Sequence, residues 1–162
     1  MNDNDRFADR LATGISLEAR VAAELRRNGW TVTQWGQGIL PDEVRRAIRE
    51  TGSRFRHFPD MVAARAGEVI TVDAKDHMHS TDTGRYAVSR ECVAFGLQFY
   101  AAFNLPVFYV FGNMGVLCPT EIMSYGQIGP RSTGGAYYLV SGRMARIFDD
   151  VFGQQASGGL AA

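Results

Sequence analysis

Lys75 is the only lysine among the 17 basic residues of this chain, and it stands two positions after Asp73. Where sixteen arginines serve every other cationic need, a lysine points to a task that a guanidinium cannot perform. A compact ammonium whose pKa shifts readily can orient or deprotonate a water, whereas arginine stays charged at any working pH. Asp60 precedes Asp73 with twelve residues between them. The alternation over 68–75 puts Val69, Thr71, Asp73 and Lys75 on one face of a strand, with Ile70, Val72 and Ala74 on the other. Residues 61–65 are small and apolar, and Ala66-Gly67 fits a two-residue hairpin loop. With that loop Arg65 pairs with Glu68, and Asp60 falls opposite Asp73. Opposed side chains have Cβ atoms roughly 4.5–5.5 Å apart, so the carboxylates repel unless one is protonated or a cation sits between them. Hard oxygen ligands of this kind suit Mg2+ or Mn2+. The chemistry this allows is metal-assisted hydrolysis, with Lys75 orienting or deprotonating the attacking water.

Pro59-Asp60, a spacer and Asp73-Ala74-Lys75 at the end of the next strand resemble the core motif of the PD-(D/E)XK nuclease superfamily. The stretch GISLEARVAAELRRNGWTV over 14–32 is similar to the first helix and strand of that superfamily, in particular of archaeal-type Holliday junction resolvases. The resemblance spans about residues 14–113. It implies a restriction-endonuclease-like α/β core, a mixed central sheet flanked by helices in the order αβββαβ. It also implies a metal-dependent endonuclease acting on DNA in recombination or repair, with a homodimer as the matching assembly. By the same resemblance Glu18 supplies a third acidic residue, with Glu24 the second choice, and the Ala74 carbonyl is a further metal ligand. The ordinary alternative for Glu18 is a carboxylate favouring the helix dipole. The superfamily often carries Gln-x-x-x-Tyr on the helix after the motif. Gln98 fits the first place, and Ala102 stands in the second. A rival reading is a catalytically silent DNA-binding or assembly module on the same fold. The presence of both aspartates and the sole lysine argues against it.

Around this hairpin the periodicity predicts the supporting elements. A short helix is expected over 2–12. A better one follows Ser16, with Leu17, Val21 and Leu25 on one face and a stop at Asn28-Gly29. Residues 30–35 alternate as a strand. Pro41 and DEVRRAIRE give an inserted helix expected to bury Val44, Ala47 and Ile48. A long helix is expected over 86–104, with Val88, Cys92, Phe95, Phe99 and Ala102 on one stripe, and PVFYVF over 106–111 reads as a buried strand. Farther on, 136–140 reads as an edge strand and Ser141 as the cap of a helix with Ile147, Val151 and Phe152 inward. A single domain over 1–152 and a flexible tail over 153–162 complete the reading.

Between Arg45 and His57 stand Arg45, Arg46, Arg49, Arg54 and Arg56, against the one acid Glu50. This run is either a solvated face or a set of phosphate contacts leading into Asp60. The formal net charge of zero argues against a protein that coats DNA. Asp76-His77-Met78-His79 lacks a third ligand cluster and reads as loop histidines. Cys92 and Cys118 have no metal-ligand spacing and read as reduced thiols. No run of 18 apolar residues occurs and the N-terminus is acidic, so a cytoplasmic protein with no membrane partner is expected. P-loop, Gly-x-Ser-x-Gly and dinucleotide fingerprints are absent.

Overall fold

The computed structural model describes residues 17–76, 79–80, 83–129 and 135–153. The hairpin forms as its spacing predicts, with β2 over Met61–Arg65 and β3 over Glu68–Lys75. Arg65 pairs with Glu68, and the ladder runs to Met61 opposite Val72, which puts Asp60 and Asp73 at its open end. Ala66 and Gly67 have φ of 48° and 83°, the two positive values of a type I′ turn.

Helix α1 runs over 17–27 and β1 over Thr31–Gln34 pairs antiparallel with β2. Helix α2, Asp42–Glu50, and a 3-10 turn over Arg54–His57 form the insertion before β2. After β3 come the short β4, His79–Ser80, and β5, Arg85–Ser89. Helix α3 over Arg90–Phe103 returns the chain to β6, Val107–Phe111, which lies parallel to β3. β7 (Gly115–Leu117), α4 (Pro119–Tyr125), β8 (Gln127–Ile128), β9 (Tyr137–Ser141), β10 (Arg146–Ile147) and α5 (Phe148–Phe152) follow.

The result is a mixed six-stranded sheet, β1-β2-β3-β6-β7-β10, and a four-stranded one, β4-β5-β9-β8. The first sheet has a core on each face. On one side Leu17, Val21 and Leu25 of α1 pack with Met61, Ile70, Val72, Val110, Phe148 and Phe152. On the other, Cys92, Val93 and Phe99 of α3 pack with Val107, Tyr109, Phe111 and Leu117, joined by Tyr86, Val88 and Val140 of the second sheet. β6 sends alternate residues to both cores, which is why its sequence is an unbroken apolar run.

Four expectations are corrected. Residues 85–89 are strand, not the start of the long helix. Tyr86 and Val88 are buried on one face while β9 pairs along the whole strand, and the extended Ser89 (φ −56°, ψ 132°) separates strand from helix. β9 is an inner strand, held between β5 and β8. Helix α2 buries none of its residues, because its three arginines and three acids leave too narrow an apolar stripe to seat it. Ser141 caps a 3-10 turn, accepting from Arg143 N–H, and Ile147 is exposed, so the last helix among the described residues is only α5. The helix expected over 2–12, the cap at Ser16, His77 and the tail after 153 lie outside the described residues.

Candidate active site

The site lies at the C-terminal end of β3, beside the one parallel junction among the described strands. Open α/β sheets present their ligands at such strand ends. The sequence builds this end so that β3 carries Thr71, Asp73 and Lys75 beneath α3. Thr71 is fully buried and satisfied, its hydroxyl donating to the Pro106 carbonyl at 2.9 Å. Asp73 is 6 % exposed. Its Oδ2 accepts from Lys75 Nζ at 2.7 Å and lies 3.9 Å from Cys92 Sγ.

Asp60 is set by its backbone. Trp35 N–H donates to the Asp60 carbonyl at 2.7 Å and Gly36 N–H to the Pro59 carbonyl at 3.1 Å. A Cβ on Gly36 would stand 2.7 Å from the Pro59 oxygen, so only glycine lets the chain pass this close. The Asp60 side chain turns back across the hairpin, its Oδ2 accepting from Ala74 N–H at 2.7 Å. Glu18 reaches in from α1, and Gly38 sits above it, where an added Cβ would come 3.5 Å from Glu18 Oε2. Glu24 is occupied by Arg27, at 2.5 Å.

The electrostatics follow from this crowding. Burial raises the Asp60 carboxyl well above the usual carboxylate range, and the Asp73 and Glu18 charges add to the effect. Burial and then Asp73 also raise Glu18. Burial alone would lower Lys75, but the charges around it, Asp73 first, outweigh burial and hold it above the ordinary lysine value. The acidic groups around Lys75 therefore favour its ammonium form.

Three residues that the sequence reading did not single out complete this end. Tyr109, opposite Asp73 in the parallel register, donates to the Cys92 carbonyl at 3.0 Å and sets its ring 5.3 Å from Lys75 Nζ. Cys92, read as one apolar position of a helix stripe, is the side chain of α3 that meets Asp73. His57 lies within the field of Lys75, and burial, Arg56 and Lys75 hold its imidazole below the usual histidine value. The available signal was chemical: a tyrosine inside an apolar strand needs a partner for its hydroxyl.

The expected DNA contacts divide. Arg45 is paired with Asp42 and Arg56 with Glu91, the latter at 2.5 Å. Arg54 lies over the Phe95 ring at 5.6 Å. Arg46, Arg49 and Gln98 are exposed.

Among the described residues no group of three or more His, Cys, Asp or Glu stands close enough to enclose a metal ion. The donor chemistry nevertheless suits a hard cation held through few protein oxygens. Asp60 and Asp73 each commit Oδ2 to a protein donor, and Oδ1 of each takes part in no described hydrogen bond. Mg2+ uses one or two carboxylates and fills the rest of its shell with waters and phosphate oxygens.

This sheet, with α1 on one face, α3 on the other and an acidic hairpin end between them, is a resolvase- and restriction-endonuclease-like nuclease fold. The structure of Hjc, a Holliday junction resolvase from Archaeoglobus fulgidus, aligns with a TM-score of 0.57 at 10 % identity, covering 89 % of this chain and 98 % of that one. D212, a nuclease from a fusselovirus, aligns at 0.52 and 10 % identity, covering 88 % of each chain. No family model and no curated protein matches the sequence. No helix among the described residues is long and apolar enough to cross a membrane.

Proposed function

We propose that this protein is a divalent-metal-dependent nuclease that hydrolyses DNA phosphodiester bonds, with a structure-specific, junction-type substrate preference and an intracellular site of action. The observation that carries the reading is the convergence of Asp60, Asp73 and Lys75 at one strand end, faced by Glu18, on a fold shared with two nucleases. Asp60 and Asp73 would hold Mg2+ or Mn2+, with the Ala74 carbonyl and Glu18 as further oxygen donors. When bound, the cation would polarise the scissile phosphate and favour an ionised water. Lys75 is placed to orient that water; with the Asp73 charge engaged by the cation, its ammonium would first release a proton to solvent and, as the neutral amine, take one from the water. Cys92 and Tyr109 hold the Asp73–Lys75 pair in place from behind.

The test incubates labelled single strand, duplex, flap and four-way junction with Mg2+, with Mn2+ and with chelator. Cleavage should require the cation, and Lys75→Ala should abolish it while leaving the melting curve near wild type. Lys75→Arg should be nearly as inactive, because charge survives and the capacity to take a proton does not. Wild-type rates in Lys75→Arg would reduce the lysine to an electrostatic role. Binding without any cation-dependent cleavage would favour a silent DNA-binding module instead. A junction-type enzyme acting across a two-fold substrate should sediment as a dimer.

A further inference from the structure

The aromatic residues behind the site form a ladder that reaches solvent. Trp35 packs edge-on against Phe58 at 4.7 Å, Phe55 stacks on Phe58 at 4.4 Å, and Phe58 meets Phe99 at 5.4 Å. Phe99 continues to Phe103 at 4.9 Å. Phe103 is 60 % exposed and Phe55 38 %, so the ladder is not finished by the chain's own described residues. At its open end a cavity of about 210 Å³ is lined by Arg54, Phe58, Phe95, Gln98, Phe99 and Phe103. That is below the roughly 300–1,000 Å³ typical of sites for drug-sized ligands, and suits one planar ring system.

The lining is mainly apolar ring surface, with the exposed Gln98 and Arg54 among its residues. Ring faces stack on any base and favour no particular one. The Gln98 amide offers a donor and an acceptor side by side, the pair that meets a base edge. Arg54, already over the Phe95 ring, adds a planar cation. Arg54 lines the opening itself, and the neighbouring α2 carries three arginines and three acids. α2 packs against the 54–57 turn and that turn against α3, and Arg46 and Arg49 of α2 make no ion pair with a described residue. A second copy of the chain on this face would set arginines against arginines, which costs affinity. A phosphodiester strand would neutralise them.

We infer that this cavity takes an unpaired nucleobase, and that the substrate is DNA with a single-stranded segment beside the bond to be cut. The placement supports the link. Phe58 precedes Pro59-Asp60, and α3 starts against Asp73 through Cys92. Along α3, Gln98 lies about 9 Å from Cys92 at the helical rise, the length of roughly two to three stacked nucleotides. This inference rests on the nuclease reading for its relation to cleavage, while its test does not require cleavage.

The probe is a single-stranded DNA of about ten nucleotides, within the site size of single-strand binders, carrying 2-aminopurine and titrated in chelator. Wild type should quench the 2-aminopurine fluorescence and prefer this strand over a duplex of equal length. Phe103→Ala and Gln98→Ala should each reduce that preference, by about tenfold for the ring. Both positions are exposed, and melting curves report whether each variant is folded; if one is not, the other carries the test. Unchanged preference in the folded variants, or equal losses on single strand and duplex, would overturn the proposal. So would a change of sedimentation with single-strand binding intact, which would assign the face to a second copy. Quenching without any cleavage under Mg2+ would keep the pocket and remove the nuclease reading, whereas cleavage without quenching would do the reverse.

Discussion

At the scale of single residues, the site is a concentration of negative charge with one cation fixed inside it. Asp60 is the member most affected, because its carboxyl is raised by burial first and by Asp73 and Glu18 next. Between the unfolded aspartate value of about 3.9 and its own raised value, the folded protein binds more protons than the unfolded chain. Stability of the metal-free protein should therefore fall as pH rises through that window. Glu18 is shifted the same way and adds to the slope. Lys75 is raised as well, so its contribution is lost only above the ordinary lysine value of about 10.4 and leaves this window untouched. Asp60→Asn should flatten most of the slope and raise the metal-free Tm at neutral pH by a few degrees. The asparagine oxygen can still accept from Ala74 N–H, so the hairpin end keeps its shape. Mg2+ should flatten the slope in wild type by replacing the proton, and should do so far less in the variant. Melting curves from acid to neutral pH, with chelator and with Mg2+, measure both effects. Parallel slopes in wild type and Asp60→Asn would remove Asp60 from the cluster.

At the scale of elements, α3 is seated on β6 by a missing side chain. A Cβ on Gly96 would stand 2.6 Å from the Tyr109 hydroxyl and 2.7 Å from Pro119 Cγ of α4. Replacing a helix-interior glycine by alanine ordinarily gains about 1 kcal/mol. Here the clash should reverse the sign and cost about 1–3 kcal/mol. It should also lower cleavage, because Tyr109 braces the Asp73–Lys75 pair through Cys92. Denaturant unfolding and a cleavage assay on Gly96→Ala check the two halves, and a stabilised variant would show that α3 can lift without harm. The contrast with the hairpin shows what was legible in the chain. The alternation over 68–75 and the Ala66-Gly67 turn are local, so the register of Asp60, Asp73 and Lys75 could be counted from sequence. The fate of 85–89 could not be counted. Val88 and Cys92 have helical spacing, and only pairing with β9, about fifty residues later, makes the first of them strand. Cys92 and Tyr109 were missed for the same reason, since each is ordinary in its own element and meaningful only where α3 crosses β6. Gly36 and Gly96 act through the space they leave, and no periodicity reports that.

At the scale of the molecule, the sheet carries a core on each face, and the end opposite the site is closed by α5. Arg65, at the turn end of β2, donates through Nη1 to the carbonyls of Asn28 and Phe152, each at 2.8 Å, and through Nη2 to that of Gly153 at 3.0 Å. Its guanidinium lies 4.3 Å from the Trp30 ring centre, and Trp30 Nε1 donates to the same Phe152 carbonyl at 2.8 Å. One side chain thus ties the end of α1, the hairpin and the end of α5, supplying donors to carbonyls that helix ends leave open. Arg65→Ala should cost about 2–4 kcal/mol, since hydrogen bonds to a charged group contribute roughly 1.5–3 kcal/mol each and are not additive. For a chain of this size that is a fall in Tm of about 4–16 °C. Arg65→Lys should recover little, because a point charge cannot reach three carbonyls with the geometry of a fork. Arg65 stands about 13 Å from Met61 along the strand, so the cleavage rate well below the melting transition should match wild type in both variants. The measurement pairs a melting curve with a cleavage rate taken at least ~20 °C below the lower Tm, beyond the shift expected here. A variant that melts like wild type yet cuts more slowly would mean that Arg65 acts on the site rather than on the clasp.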